Sequence, residues 1–442
     1  MGNPGPPPHR DSTRPAAQAH IGVWARAFVD QVDVLVVGAG PAGSTAAYEL
    51  ARRGHSVLII EEHGRVGFPV QCAGLVSSRV IELAGSARRV RTPVHGATVY
   101  GPGGSQVQFK APEPRAFVID RAGLDIDLAD RAARAGAVVE TGTTYEGRGS
   151  PDGNREVALL RGPDRSERSI AARLVIGADG VASALARAYR LRRPVEILPA
   201  FEAEFPESPG DPDQVEVDLG HEVAPGLFGW WIPDGSGGGR IGVAAEADGV
   251  PARRYFERML DRRAARTGRA ARNPTAYLVS GIPIGTLPKC VGPRVLLVGD
   301  AAAQVKPLSG GGIFTGMRCA TIAAEVVDAA LAADDLSEGC LARYDRLWRR
   351  ELGGEFSRAL YLRRVFRRLT DPDLEALVQA LAAAELTGTI VAFGDIDFPT
   401  HVARQLLRES PSLLRLLPKA LGAWLAGDPA STPELEPGPR RK

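Results

Sequence analysis

The sequence predicts an α/β protein with a Rossmann-like dinucleotide-binding domain, an antiparallel β-sheet domain and a helical C-terminal part. An apolar strand, a glycine turn, a helix and a second apolar strand follow one another over residues 33–62, which is typical of a βαβ unit. Short alternating strands separated by Pro and Gly occupy about 190–280, and amphipathic helical patterns dominate from about 317 to 427. The 442 residues suffice for two or three domains, because single cores stop growing at roughly 250–300 residues.

The composition is that of an ordinary folded protein. Charged residues make up 24% and the formal net charge is +2, so we expect no nucleic-acid partner. The four cysteines, Cys72, Cys290, Cys319 and Cys340, lack C-x-x-C spacing and have no histidines at metal-ligand spacing. We therefore predict no metal site, no disulfide framework and a reducing cytoplasm as the location.

The two ends of the sequence are polar and rich in proline. We predict a flexible N-terminal extension at 1–31 and a disordered tail at 429–442. No apolar run reaches the 18 or more residues of a spanning helix, and the N-terminal stretch lacks the apolar core of a signal peptide. A cytoplasmic protein is expected, with association with the inner face of the membrane left open.

A glycine fingerprint follows the first strand. Gly38 permits a tight turn, Gly40 lets the backbone approach a pyrophosphate, and Gly43 allows close packing of helix on strand. Glu61 ends the next strand and can accept hydrogen bonds from a ribose, although Glu62 could take its place. These parts together predict dinucleotide binding.

A second formal match, Gly237-x-Gly239-x-x-Gly242, follows a loop and runs into a strand-like VAAE segment. We interpret it as a hairpin, because a dinucleotide fold needs a helix after the glycines. No separate nicotinamide-binding fold is therefore visible. Electrons are expected from NAD(P)H at a transient site or from a ferredoxin-type protein donor.

Two further motifs point to FAD. Ala178-Asp179-Gly180 and Gly299-Asp300 each follow a strand, and with the fingerprint they resemble flavoproteins with an FAD-binding fold of the hydroxybenzoate-hydroxylase type. Over roughly 32–425 the chain is more specifically similar to the geranylgeranyl reductase family, including archaeal-type enzymes that saturate digeranylgeranyl glycerophospholipids. The motifs that carry this resemblance are GFPVQCAGLVS at 67–77, VIDRAGLD at 118–125, GDAAAQVKPLSGGGIFTGM at 299–317 and GDIDFPT at 394–400.

The resemblance implies a set of cofactor-binding residues. It places Tyr145 at the adenine through its backbone and Asp300 at the ribityl chain. The helix that starts after Gly312 would stabilise negative charge on the reduced ring. The complete set is Gly38, Gly40, Ala42, Gly43, Glu61, Cys72, Ala73, Gly74, Arg121, Tyr145, Asp300, Gly312 and Ile313.

The resemblance also implies a domain division. The FAD-binding domain takes 32–90, 115–189 and 281–334, an antiparallel β-sheet substrate domain takes 91–114 and 190–280, and a C-terminal helical region takes 335–428. An aromatic substrate wall is expected at Phe228, Trp230, Ile232 and Pro233. The glycine pair that usually follows this motif is reduced to Gly242-Val243-Ala244, which leaves the identity of the substrate open.

Cys72 and the basic C-terminal segments each have two interpretations. Cys72, the one candidate catalytic residue, is either a proton relay or gate at the flavin, or a small buried hydrophobe. The basic amphipathic segments at 361–370 and 401–427 either rest on anionic lipid or cover the substrate domain.

The resemblance implies an FAD-dependent reductase that hydrogenates C=C bonds of geranylgeranyl or polyprenyl chains on an isoprenoid lipid, diphosphate or quinone. Reduced flavin delivers hydride to one alkene carbon, and a proton reaches the other from an acid that the sequence does not identify. The alternative within the same fold is a flavin-dependent monooxygenase or halogenase. A non-catalytic flavoprotein or isoprenoid carrier is a third interpretation.

Overall fold

The computed structural model describes residues 30–382, 384–411 and 413. The predicted extension at 1–31 therefore lies outside the described residues except for its last two, and Gln31 already belongs to the first strand. The predicted tail at 429–442 and most of the basic segment at 401–427 also lie outside them.

Within the described part of the chain the structure has eighteen strands. They are β1 (Gln31–Val37), β2 (Val57–Glu61), β3 (Leu75–Val76), β4 (Val90–Val94), β5 (Gly96–Tyr100), β6 (Gln106–Lys110), β7 (Ala116–Ile119), β8 (Val138–Thr141), β9 (Thr144–Arg148), β10 (Glu156–Arg161), β11 (Glu167–Gly177), β12 (Glu196–Phe205), β13 (Gln214–Asp218), β14 (Phe228–Pro233), β15 (Gly239–Ala244), β16 (Ala276–Ile284), β17 (Val291–Gly292) and β18 (Val295–Leu297).

Eleven α-helices are found in the same described ranges. They are α1 (Pro41–Ala51), α2 (Ser78–Ala84), α3 (Arg121–Arg134), α4 (Ala184–Ala188), α5 (Ala252–Thr267), α6 (Ile313–Ala332), α7 (Glu338–Trp348), α8 (Gly354–Phe366), α9 (Asp371–Leu381), α10 (Ala384–Phe393) and α11 (Pro399–Glu409). A π-helical turn, Arg349–Gly353, joins α7 to α8.

The largest sheet has eight strands, and its centre is parallel in the order β18-β11-β1-β2-β8. The strands β17, β10 and β9 add to it in antiparallel fashion. Its central strands are almost continuously apolar and buried, because helices such as α1, α3 and α6 cover the sheet. The parallel strands all end at one edge, the place where doubly wound folds bind their ligands.

A seven-stranded sheet forms the second layer, in the order β16-β12-β15-β14-β13-β5-β6. Its pairs are antiparallel except for β13 with β5, which is parallel. The strands β14 and β15 are a hairpin around Gly237, which confirms our interpretation of the second glycine motif. The strands β3, β7 and β4 form a third, small sheet, and β5 and β6 of the seven-stranded sheet lie between β4 and β7 in the chain.

The helices after α6 complete the described chain. A capping box at Thr370 and Asp373 starts α9, with the Thr370 hydroxyl accepting from the Asp373 backbone. Among the described residues no single helix has the length and apolar composition to cross a membrane; α9 with Leu386–Phe393 meets that test only as a pair bent by 85°.

Candidate active site

The sequence motifs converge on the carboxyl edge of the parallel strands. The glycine fingerprint follows β1, Glu61 ends β2, Ala178-Asp179-Gly180 follows β11 and Gly299-Asp300 follows β18. Because β1 pairs with both β2 and β11, and β11 with β18, these four segments are neighbours along that edge. The topology therefore makes one site from motifs that are up to 262 residues apart in sequence (300 − 38).

The three fingerprint glycines meet three different requirements. Gly38 has φ +103°, and a Cβ added to it would lie 2.4 Å from the Ala178 carbonyl oxygen. A Cβ on Gly43 would lie 2.0 Å from the Gly38 carbonyl oxygen, so α1 packs directly on the turn. A Cβ on Gly40 would meet nothing within 4 Å. Gly40 therefore faces open space at the N-terminus of α1, where an anion is favoured.

The Glu61 carboxylate is fastened to the glycine turn. Its Oε2 accepts a 2.9 Å hydrogen bond from the Ala39 N–H. Its Oε1 accepts from the His63 N–H at 3.1 Å and contacts the His63 ring Nδ1 at 2.7 Å. Glu62 makes no such contact with the turn and is exposed. Of the two acidic candidates, Glu61 is the one held at the edge.

Small residues allow α6 to approach the turn closely. Ala42, in the first turn of α1, faces Gly299 and Gly316: a Cβ added to Gly299 would lie 3.0 Å from the Ala42 Cβ, and one added to Gly316 would lie 3.5 Å from it. Larger side chains would separate α1, α6 and the segment after β18. The contact brings Asp300 and the start of α6 to the fingerprint.

A buried cation occupies the middle of this edge. Arg121, the first residue of α3, pairs with Asp125 through contacts of 2.8 and 3.0 Å. Burial by itself would lower the pKa of Arg121, but the Asp125 carboxylate and the nearby Cys72 hold it above its ordinary value. Arg121 also acts electrostatically on Asp300. The structure thus places Arg121, Cys72 and Asp300 around one point.

Asp300 is a carboxylate without a local partner. Its side chain makes no hydrogen bond to any residue that the structure describes. Burial raises its pKa, and Arg121 offsets only part of that effect. A Cβ added to Gly312 would lie 3.0 Å from Asp300 Oδ1, so the carboxylate lies against the residue that precedes Ile313 and α6. An unpartnered acid at a helix N-terminus and open space over Gly40 both fit a bound dinucleotide with a polyol chain.

Tyr145 and Asp179 differ in whether their polar side-chain atoms have hydrogen-bond partners. Tyr145 lies in β9, with its ring in the main core and its hydroxyl buried without a partner in the described structure. Burial raises the pKa of that hydroxyl. The Asp179 carboxylate is occupied, because it accepts from the Ser183 hydroxyl at 2.7 Å and from the Leu185 N–H at 3.0 Å. Asp179 therefore fixes the start of α4.

The expected substrate wall lies in β14 of the seven-stranded sheet. Strand alternation puts Phe228, Trp230 and Ile232 on one face, whereas Pro233 has the parity of Trp231 and belongs to the other face. The face of Trp231 packs under α5. Of the four wall residues, three therefore share a face, and Pro233 ends the strand on the opposite side.

The face with Trp230 is directed towards the cofactor edge. Trp230 belongs to the same apolar cluster as Ala73 and Ile232. Arg240, two strand positions from Gly242 on that face, donates a 2.7 Å hydrogen bond to the Ala73 carbonyl oxygen. A Cβ on Gly74 would lie 2.6 Å from Arg240 Nη1. The predicted flavin-side segment, Cys72 to Gly74, is thus fastened to the predicted substrate sheet.

A buried carboxyl group also lies on this face. Glu202 in β12 is 2% exposed, and its Oε2 accepts a 2.6 Å hydrogen bond from the Trp230 indole Nε1–H. Burial raises the pKa of Glu202 to about 7, although Arg240 and the Trp230 hydrogen bond act in the opposite direction. The pair spans β15, which lies between β12 and β14.

The C-terminal helices cover this face. Apolar side chains of α8 and α9 pack on it, namely Leu360, Phe366, Val378 and Leu381. Arg363 of α8 reaches the sheet as well, contacting Glu196 at 2.8 Å and the Gly226 carbonyl oxygen. The segment at 361–370 therefore covers the substrate sheet, which was one of its two interpretations.

The GDIDFPT motif is a clamp in the sense that its residues bind two cationic side chains, Arg79 and Lys306, from other segments. Arg79 of α2 makes two hydrogen bonds to Asp395, of 3.0 and 2.8 Å, and one of 3.2 Å to Asp397. Lys306, in the segment before α6, lies 2.9 Å from Asp397 Oδ1 and donates to the Ile396 carbonyl oxygen at 2.8 Å. The motif thereby joins the C-terminal helices to the cofactor edge.

Sequence reasoning missed Glu202, Arg240, Lys306 and Asp397. A signal existed for Glu202, since it shares the parity of Leu198 and Ala200 in a strand whose other residues are largely apolar. Lys306 and Asp397 lie within the quoted motifs at 299–317 and 394–400, but the partners of all four residues are on distant segments, so their pairing could not be predicted from the sequence. The described residues contain no group of three or more His, Cys, Asp or Glu placed to hold a metal ion.

Comparisons with known proteins agree with this geometry. Residues 31–201 match the family model of the FAD binding domain. The chain is 32% identical over 395 residues to digeranylgeranylglycerophospholipid reductase 2 of Methanothermobacter thermautotrophicus, an alignment that covers 87% of this chain and 98% of the relative. It is similar to the crystal structure of a geranylgeranyl bacteriochlorophyll reductase-like protein from Thermoplasma acidophilum, with a TM-score of 0.76, 25% identity and coverage of 87% and 100% of the two chains.

A flavin-dependent brominase is also similar in structure, with a TM-score of 0.66 and 18% identity over 86% of this chain and 100% of the brominase. At that identity the likeness shows the fold alone. The comparisons confirm the predicted fold class and the resemblance on which the function was predicted.

Proposed function

This chain belongs to the family of the digeranylgeranylglycerophospholipid reductases, which are FAD-dependent oxidoreductases, and we propose that it hydrogenates carbon–carbon double bonds of polyprenyl chains. The observation that carries the proposal is the apolar face with Phe228, Trp230 and Ile232, which is fastened to the Cys72–Gly74 segment beside the cofactor edge. These three side chains suit an isoprenoid chain, because the chain buries apolar surface against them and the indole N–H of Trp230 is already bonded to Glu202. The proposal covers chains linked to a glycerophospholipid, a diphosphate or a quinone.

The residues at the carboxyl edge would hold FAD. Gly40 and the N-terminus of α1 would receive the pyrophosphate, Glu61 a ribose, and Asp300 the ribityl hydroxyls. Tyr145 would lie near the adenine through its backbone, and Cys72 to Gly74 beside the ring. Two-electron-reduced FAD, when bound, supplies the hydride that an alkene needs.

The chain itself provides electrostatics and exclusion of water. Arg121 and the N-terminus of α6 put positive charge where a reduced ring would carry negative charge. The C-terminal helices cover the substrate face, which keeps water from the reacting carbons. Gly312 and Ile313 form the start of α6, and Gly312 has no side chain to separate this helix end from Asp300.

The electron donor and the membrane are further parts of the proposal. We propose NAD(P)H or a ferredoxin-type protein as the donor, because the one βαβ fingerprint is assigned to FAD. We also propose that the protein works at the cytoplasmic face of a membrane, where a lipid-linked substrate resides. The exposed Arg404 and Arg408 on the amphipathic helix α11 support that placement.

An anaerobic experiment tests the reaction. The dithionite-reduced protein is mixed with geranylgeranyl diphosphate, a geranylgeranyl glycerophospholipid or a menaquinone, while flavin absorbance and product mass are followed. Gain of two hydrogens per flavin reoxidised without oxygen is expected, and the productive compound identifies the head-group class. Reoxidation only in air, with oxygen or halide in the product, would replace the proposal with the monooxygenase or halogenase alternative.

A further inference from the structure

Glu202 is a buried carboxyl group on the same face of the sheet as Trp230. Among the described residues, no cationic side chain forms an ion pair with it. One oxygen receives the Trp230 N–H at 2.6 Å, and the other has no hydrogen-bond partner among the described residues. On the same face Leu198 and Ala200 precede it in β12 and Gly242 lies opposite in β15, whereas the charged pair of Glu204 and Arg240 occupies the next position along the two strands. Glu202 therefore lies, with one oxygen unpartnered, on the face of the sheet proposed for the isoprenoid chain.

The environment of Glu202 favours its protonated form. Burial raises its pKa to about 7, and Glu204 acts in the same direction, whereas Arg240 and the Trp230 hydrogen bond lower it. The carboxyl group is therefore largely protonated below neutral pH and half protonated near pH 7, where an ordinary glutamate is ionised. A neutral acid is also compatible with an apolar chain, since an ionised carboxylate would be strongly disfavoured there.

A route for replacing the proton begins two residues further along β12. Glu204 has the same parity as Glu202, its side chain is 40% exposed, and it contacts Arg240 at 2.8 Å. Glu204 and Arg240 line a cleft of about 230 Å³ together with Arg91, Asp234 and Thr275. Water in this cleft can reach Glu204, which is the neighbour of Glu202 on the face.

We propose that Glu202 is the acid that protonates the alkene carbon adjacent to the one receiving hydride. This inference rests on the proposed reductase function. The carboxyl O–H bond breaks and a C–H bond forms, while the hydride from reduced FAD forms the second C–H bond. The C=C bond becomes a single bond, FAD returns to its oxidised form, and the Glu202 carboxylate recovers a proton from water in the Glu204 cleft.

The test compares Glu202→Gln with wild type. The amide keeps the shape and accepts from Trp230 but cannot supply the proton, so anaerobic flavin reoxidation by the productive substrate should slow at least 100-fold, as is usual for loss of a general acid. FAD content should stay unchanged. The matched control is Glu257→Gln on α5, which covers the opposite face of the same sheet; its reoxidation rate should equal that of wild type.

A second readout needs no turnover. Infrared difference spectra of the oxidised protein between pH 5 and 9 should show a carboxylic acid band that titrates near pH 7 in wild type and is absent from Glu202→Gln. Trp230→Phe removes a hydrogen bond that lowers the pKa, so its band and its pH profile of reoxidation should both move to higher pH. This variant keeps the test decisive should Glu202→Gln fail to fold.

The outcomes separate the two proposals. Wild-type hydrogenation together with an equally fast Glu202→Gln overturns the acid assignment and leaves the reductase function standing. Absence of the titrating band overturns the assignment as well. Failure of wild type to hydrogenate any of the substrates rejects the proposed function, and the role of Glu202 with it.

Discussion

Trp230 lies directly over Gly242. A Cβ atom added to Gly242 would be 2.5 Å from both Cε2 and Cζ2 of the Trp230 ring. Gly242 belongs to β15, between the strand of Trp230 and the strand of Glu202. The missing side chain is what allows the indole to cross β15 and donate to Glu202.

Replacing Gly242 with Ala should displace the indole and break its hydrogen bond to Glu202. We expect destabilisation of about 1–3 kcal/mol from overpacking, a shifted tryptophan emission and a reoxidation profile displaced to higher pH. Gly147→Ala is the control, since a Cβ there meets nothing within 4 Å in a strand of the other sheet. Unchanged emission and pH profile in Gly242→Ala would contradict the contact.

Gly40 and Gly43 should behave differently when changed to Ala. The Gly43 variant places a Cβ against backbone, so it should lose at least 1–3 kcal/mol of folding stability together with its FAD. The Gly40 variant should fold as stably as wild type without FAD yet bind FAD at least about tenfold more weakly, about 1.4 kcal/mol. Thermal unfolding of the flavin-free proteins and flavin titration measure both effects. Full FAD affinity in Gly40→Ala would show that the pyrophosphate does not lie against Gly40.

Asp300→Asn should stabilise the flavin-free protein and weaken FAD binding. Burial raises the pKa of Asp300, so the folded state prefers the protonated acid and loses stability as the pH rises through the folded pKa. The Asn variant avoids that loss. The increase in its unfolding temperature over that of wild type should therefore be larger at pH 7 than at a pH below the ordinary pKa range of Asp. Loss of a charged hydrogen-bond acceptor should weaken FAD by about 1.5–3 kcal/mol. Equal FAD affinity in both proteins would argue against contact with the ribityl chain.

Cys72→Ala distinguishes the two interpretations of this residue. The Sγ atom accepts a 3.4 Å contact from the Gly74 N–H and also interacts with Arg121, so the variant should retain FAD and lose about 1–3 kcal/mol of stability. A relay or gate requires a changed turnover or extent of reduction, measured by product mass. The control is Cys340→Ala at the start of α7. An unchanged product distribution would assign Cys72 to packing.

Asp397→Ala should be strongly destabilising. It leaves the Lys306 ammonium buried without its counter-ion, which typically costs about 3–5 kcal/mol. The exposed pair Lys289–Glu338, with a similar separation of 2.9 Å, is the control, and Glu338→Ala should cost less than about 1 kcal/mol. Denaturant unfolding of the two variants measures the difference. Similar midpoints would mean that the clamp does not contribute to stability.

The sequence by itself determined the βαβ start and its glycine chemistry. The φ of +103° at Gly38 and the 2.0 Å approach of Gly43 to the Gly38 carbonyl oxygen both arise within one strand–turn–helix unit, so a local pattern suffices to recognise these glycines, although Gly38 also packs on the distant Ala178. The same holds for the hairpin at Gly237 and for the parity of Phe228, Trp230 and Ile232. Resemblance to a family added FAD and the reaction, because its motifs are longer than any single turn.

Only the tertiary structure decided which distant side chains meet. Sheet order placed Glu202 within reach of Trp230 across a glycine, and it brought Arg240 to Ala73. Pro233 lies on the opposite face of the strand, with Trp231, although it follows Ile232 directly in sequence. Lys306 and Asp397 are paired by the return of the C-terminal helices to the cofactor edge. Register, strand order and burial depend on the whole chain, and the charge state of a carboxyl such as Glu202 depends on burial, so no local pattern could specify them.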